Sequence, residues 1–304
     1  MNTSEKSNPS TTGSKGLQQV MRAHPLFSFL FMAYAFSWIM SIPYILSQWN
    51  ILPNTQSYQI FFVIKSFGPA LAARVMCYAM EGREGWRNLR SRIRQWRAGG
   101  QWYLFILLGV PAMMLLGIVV LPGALATFRG VPPNFLATYL VTFILIFFGG
   151  GPLGEEPGWR GFALPHMQSR YGALRANLLL GVLWACWHLP DFLTVAQKGG
   201  PGSELSVLFS GFLVFFVEVM ALTFIFSWVF NHTNGSVFIA IMLHTTYNAF
   251  GTVVQPLFSA PIVTSTDLPF VIAVVVPALL IVILTRGRLG YQLGQTESLE
   301  PEAI

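Results

Sequence analysis

Eight apolar stretches, at roughly residues 26–48, 58–80, 102–122, 135–150, 176–196, 205–230, 236–256 and 269–285, run through the sequence with few charges inside them. A bilayer core about 30 Å thick takes about 20 apolar residues per helix. Within it every backbone N–H and C=O must be bonded inside the chain, so continuous apolar runs of this length predict helices. The expected fold is all-α, a polytopic transmembrane helix bundle of about eight helices. The low charge fits, with 10% of residues charged and 54% hydrophobic, against about 25% charged in an ordinary soluble domain. The fourth and eighth runs are short. The fourth leads into Gly149-Gly150-Gly151-Pro152, a sequence that loosens or breaks a helix.

The basic residues orient the bundle. A net charge of +6 would suit a nucleic-acid partner in a soluble protein. Beside apolar spans it reads as a topology signal, and no nucleic acid is expected. With the N-terminus in the cytoplasm, Lys6, Lys15 and Arg22 lie inside, as do Arg83, Arg87, Arg90, Arg92, Arg94 and Arg97 between the second and third spans. Arg160, Arg170, Arg175, Arg286 and Arg288 also fall inside, leaving Arg129 and Lys198 outside. Both termini are therefore expected to be cytoplasmic, in a multi-pass membrane protein. The arginine-rich loop also suits acidic lipid headgroups. Residues 1–24, rich in Ser, Thr, Asn and Gly, read as a disordered tail and lack the pattern of a secretory signal. The bundle then occupies 25–285, and 286–304 form a C-terminal tail. Cys77 and Cys186 sit in apolar runs and predict no disulfide framework.

Polar residues inside such runs are costly and usually face a protein interior or a wet cavity. Lys65 and Arg74 read as snorkelling groups or as counter-charges for Glu218. In "GEEPGWRG", residues 154–161, a helix resuming near Leu153 or Gly154 would put Pro157 in its first turn, where proline is tolerated. Anions are favoured at helix N-termini. Glu156 and Arg160 are spaced i, i+4 with the acid first, the better order for an ion pair. Adjacent helical residues point about 100° apart, so Glu155 faces elsewhere, without a local partner and available as a base. A helix-capping cluster at the membrane interface is the alternative. His188 lies in the fifth span with Trp184 a turn before it and Pro190 two residues after, a proline that should kink or end the helix. Taken alone, it could be a hydrogen-bonded structural group. His244 and Asn248 are spaced i, i+4 on one face of the seventh span, so Asn248 could orient the imidazole or donate to a developing oxyanion. Glu155 follows the fourth span on the cytoplasmic side, or deeper if the glycine-rich break is re-entrant. His24, His166 and His232 fall near span ends or in loops, where interfacial solvation accounts for them.

The three clusters together resemble the CPBP family of intramembrane proteases, which includes the type II CAAX prenyl endopeptidases and bacteriocin-immunity and abortive-infection relatives. The family's first motif, two glutamates, three residues and an arginine, is matched by Glu155, Glu156 and Arg160. Its second, an aromatic, three residues and a histidine, is matched by Trp184 and His188, with Trp where Phe is usual. Its third is matched by His244 and Asn248. Order and spacing agree over roughly residues 135–256, which would be the protease core. The resemblance implies an endopeptidase cutting a peptide bond near the cytoplasmic membrane face. Glu155 would activate water, His188 and His244 would complete the water site, and Asn248 would stabilise the oxyanion, with Glu156 and Arg160 in support. It leaves the metal open: Zn²⁺ or another divalent ion on His188, His244 and Glu155, or direct activation by Glu155 and a histidine, since no HExxH helix is present. The expected partners are membrane lipid and a protein or peptide substrate, with prenylated CAAX proteins the family expectation. A proton- or ion-coupled transporter and a non-catalytic immunity or scaffold protein are the competing classes.

Overall fold

The computed structural model describes residues 10–53, 56–149, 151–195, 204–258 and 268–292. Lys6, Lys198 and most of the C-terminal tail lie outside these. The helices are α1 (Ser10–Ala23), α2 (Pro25–Gln48), α3 (Gln59–Ile64), α4 (Gly68–Ile93), α5 (Gly100–Leu104), α6 (Val110–Val119), α7 (Phe135–Phe148), α8 (Gly151–Gly158), α9 (Leu164–Trp187), α10 (Leu189–Val195), α11 (Glu204–His232), α12 (Val237–Val254) and α13 (Leu268–Leu284). Among the described residues the fold is all-helical, with one isolated antiparallel bridge between Phe128 and Phe258. Six helical stretches are long and apolar enough to cross a membrane, and Phe135–Phe148 and Pro269–Leu284 are shorter apolar helices. This is a multi-pass integral membrane protein. Its lipid-facing surface keeps large side chains such as Phe31, Leu108, Leu140 and Ile283 more than half exposed, the inverse of a soluble protein's pattern.

Chain breaks shape the bundle more than helix ends do. Gly172 takes φ 75° and ψ 167° inside the long stretch from Gly151 to Thr194. That left-handed φ is open to glycine at little cost. It folds the stretch into two arms, one carrying the two glutamates and the other His188. A second break at Gly82, φ 67°, divides α4. Just before it, the Ala79 carbonyl accepts from Gln18 Nε2 at 3.0 Å and Arg22 Nε at 2.8 Å. These bonds hold α1 against the bundle. Of the expected disordered tail, residues 1–9 lie outside the described residues and Ser10–Ala23 are helical, with a bundle carbonyl supplying a partner that composition alone does not reveal.

Loops meet at two ends. At one, Arg92 Nε donates to Gly235 O at 3.1 Å, Ser236 Oγ to Gln95 O at 2.5 Å, and Asn231 Nδ2 to Leu289 O at 2.9 Å. At the other, Arg129 N donates to Leu257 O at 2.7 Å. Arg92 is no simple topology charge. Its guanidinium is turned inward, reaching Gly161 O at 3.1 Å and Arg160 O at 3.3 Å and lying 5.3 Å from the Phe230 ring.

Candidate active site

The two glutamates sit on α8, which begins at Gly151, earlier than expected. Pro152 therefore takes the first turn, where its missing N–H costs nothing, and Pro157 falls in the helix body. A proline there removes a ladder bond. The wider π-turn Trp159–Ala163 follows at once, a bulge of the kind often found at functional sites. α8 also lies very close to the start of α4. A Cβ on Gly154 would collide with the Ser66 carbonyl, and one on Gly158 with Pro69. These two small residues let the backbones touch and sink the acids into the bundle.

Burial decides between a capping cluster at the interface and an internal site. Glu155 is 4% exposed, and Glu156 and Arg160 are 0% exposed. Glu156 Oε1 accepts from Arg160 Nη1 at 3.0 Å, as the i, i+4 spacing predicts, and is also 2.8 Å from His244 Nδ1. Since His244 lies seven residues into α12, roughly 10 Å along a helix of 1.5 Å rise, the acids are deep.

Glu155 has a partner after all. Trp184 Nε1 donates to its Oε2 at 2.9 Å, and His188 Nε2 is 3.7 Å from the same oxygen. His188 caps α9 and precedes the short α10, so the long helix ends just before Pro190, which falls in the first turn of α10. The ring's other nitrogen, Nδ1, is 2.7 Å from Asp191 Oδ2. The adjacent acids are thus divided between the imidazoles, Glu155 beside His188 and Glu156 bonded to His244. Trp184 stands between the pairs: the Arg160 guanidinium lies over its face at 4.0 Å, with Phe226 at 4.4 Å on that group's other contact. His244 meets Trp184 edge to face at 5.6 Å. A carboxylate can only accept, so in the neutral ring each Nδ1 carries the hydrogen and each Nε2 keeps a lone pair.

Asn248 is half-buried on the same face of α12 as His244. Its side chain makes no hydrogen bond to a described residue, and Glu156, not Asn248, orients the His244 ring. Of the two readings of Lys65 and Arg74, a pairing with Glu218 is not what the structure shows, and Arg74 is exposed. Lys65 is paired with Asp191 and not with Glu218. Arg74 lies 5.2 Å from the Trp86 ring. Glu218 accepts from Tyr247 Oη at 2.5 Å. Asp191 was overlooked, though its place three residues after His188 was visible. His166 and His232 sit 2.7 and 2.8 Å from carbonyls one turn back, Phe162 O and Trp228 O.

Two imidazoles and a carboxylate are a donor set that zinc accepts. As placed, they do not fit: among the described residues no three His, Cys, Asp or Glu side chains come together so as to hold a metal ion.

The helices define a polytopic membrane protein that holds a buried acid–imidazole cluster inside its bundle. A family model for type II CAAX prenyl endopeptidases, Rce1-like, matches residues 136–250, the stretch that carries all three motifs. CAAX prenyl protease 2 of Methanococcus maripaludis is 27% identical over 146 residues, which cover 47% of this chain and 53% of that protein. The chain spans about half the length of the curated relative it matches. The resemblance read from the motifs thus has an independent match over the same segment.

Proposed function

We propose that the protein is an intramembrane endopeptidase in which Glu155 and His188 activate the attacking water. The observation that carries this reading is the approach of Glu155 Oε2 to His188 Nε2, 3.7 Å, from separate arms of a hairpin buried in an apolar bundle. A water between these two atoms would have an acceptor for each of its hydrogens. Its oxygen attacks the substrate carbonyl carbon as Glu155 takes a proton. The carbonyl electrons move onto oxygen, and the Asn248 amide donates to that oxyanion. Collapse breaks the C–N bond, and the proton held by Glu155 passes to the leaving amine. Arg160 bonds Glu156, and Glu156 keeps His244 in place. The name of the relative, CAAX prenyl protease 2, makes a prenylated CAAX-type protein the first substrate to test, with unmodified peptides beside it.

The test is cleavage of a reporter peptide by the purified full chain in detergent or liposomes. Glu155→Gln, His188→Ala and His244→Ala should each lower kcat by about 100-fold or more. Full activity in all three would sink the site. Because the side chains as placed do not gather around an ion, activity should survive treatment with a strong zinc chelator. Loss on chelation, with recovery on added zinc, would return the site to the metal scheme.

A further inference from the structure

We infer that Lys65 and Asp191 form a positioning pair behind His188, fixing its ring so that Nε2 is presented to Glu155. This deepens the endopeptidase reading and rests on it. His188 is not held by regular helix: it ends α9, and Pro190 follows. Its ring has aromatic neighbours on two sides, Trp187 at 4.7 Å and Phe215 at 5.0 Å, both near perpendicular. Those contacts restrict the ring but do not choose between its two nitrogens. Asp191 does: Oδ2 lies 2.7 Å from Nδ1 and can only accept, so the hydrogen is placed on Nδ1 and the lone pair on Nε2. Asp191 N also donates to His188 O at 2.9 Å, tying the two backbones.

Lys65 completes the arrangement. It is 3% exposed, and an unpaired buried ammonium is costly. Its ammonium pairs with Asp191 Oδ1 and lies 4.4 Å from the Phe62 ring and 4.9 Å from that of Trp187. Asp191 thus gives one oxygen to each partner. Lys65 belongs to the break between α3 and α4, where Ser37 Oγ donates to its carbonyl at 2.6 Å. A pair that merely bolted α10 to this break would contribute stability and leave the chemistry alone.

Kinetics of the full chain separate the two roles. Asp191→Asn should lower kcat by about 10- to 100-fold with little change in KM, the usual cost of losing the group that orients a histidine. Asp191→Glu should recover part of that loss. Lys65→Met should act in the same direction, and the double variant should be no worse than Asp191→Asn alone, since Lys65 works only through Asp191. Nitrogen-15 shifts of His188 should report the Nδ1–H tautomer in the unaltered protein and a mixture in Asp191→Asn. Unchanged kcat in Asp191→Asn, alongside an inactive Glu155→Gln, would overturn the positioning pair and leave the endopeptidase reading intact. Should Glu155→Gln stay active, that reading falls, and an unaltered tautomer in Asp191→Asn would then overturn the pair as well. If Asp191→Asn does not fold, Lys65→Met supplies the same tautomer and kcat readouts.

Discussion

Trp184 shows how a side chain can answer to its motif and still do something the motif does not state. Its ring keeps the aromatic character expected four residues before His188, but its N–H also reaches Glu155 Oε2 at 2.9 Å while its face carries Arg160. Phenylalanine would keep the face and lose the donor. A buried carboxylate deprived of a donor costs about 1–3 kcal/mol. Trp184→Phe should therefore lower the unfolding midpoint in detergent while leaving the helical content intact, as circular dichroism would show. The i, i+4 spacing made the Glu156–Arg160 pair legible in the sequence, because both residues belong to one helix. The Glu155–Trp184, Glu156–His244 and Lys65–Asp191 contacts were not legible, because each joins segments far apart in the chain, and their choice of partner is set by packing. For that reason sequence offered Glu218 as one candidate partner of Lys65, whereas Lys65 pairs with Asp191 and Glu218 accepts from Tyr247.

Elements in this protein meet closely where side chains are missing. Gly158→Ala would drive a methyl group into Pro69 at the α8–α4 contact, an overpacking cost of about 1–3 kcal/mol. The expected result is a lower unfolding midpoint together with reduced activity, since both acids ride on α8. Arg92→Met should have a related effect by a different route, freeing the carbonyls of Arg160, Gly161 and Gly235 from their shared donor. Partial loss of kcat at preserved expression is the outcome to look for. The sequence announced the break after the fourth apolar run, since glycines and a proline stand there. It did not announce the π-turn at Trp159–Ala163 or the α8 start at Gly151, because hydrogen-bond register within a helix leaves little trace in hydropathy. Nor was α1 visible, because its anchor is a carbonyl at Ala79.

At the scale of the whole molecule, apolar length located α2, α7, α11, α12 and α13 to within a few residues, as lipid demands of a chain that crosses it, whereas α4 runs on to Ile93 and α9 starts at Leu164, both well beyond their apolar stretches. The contacts between loops sort them into two ends, with residues 92–97, 233–236 and 287–290 at one and residues 128–129 and 257–258 at the other. The excess of arginine at the first end predicts that it faces the cytoplasm. Cysteine introduced by Ser91→Cys should escape a membrane-impermeant maleimide in intact cells, whereas Arg129→Cys should react; the reverse pattern would invert the topology.

The glycine bend at Gly172 has a mechanical consequence. Glu155, Trp184, His188 and Asp191 all travel on one folded arm pair, whereas His244 and Asn248 belong to another hairpin, joined to the first by the Glu156–His244 bond and by the contacts of Trp184 with His244 and Phe226, of Arg160 with Phe226 and of His188 with Phe215. Parting the halves would have to undo all of these contacts at once, so the bend leaves the cluster held as one body rather than hung on a hinge.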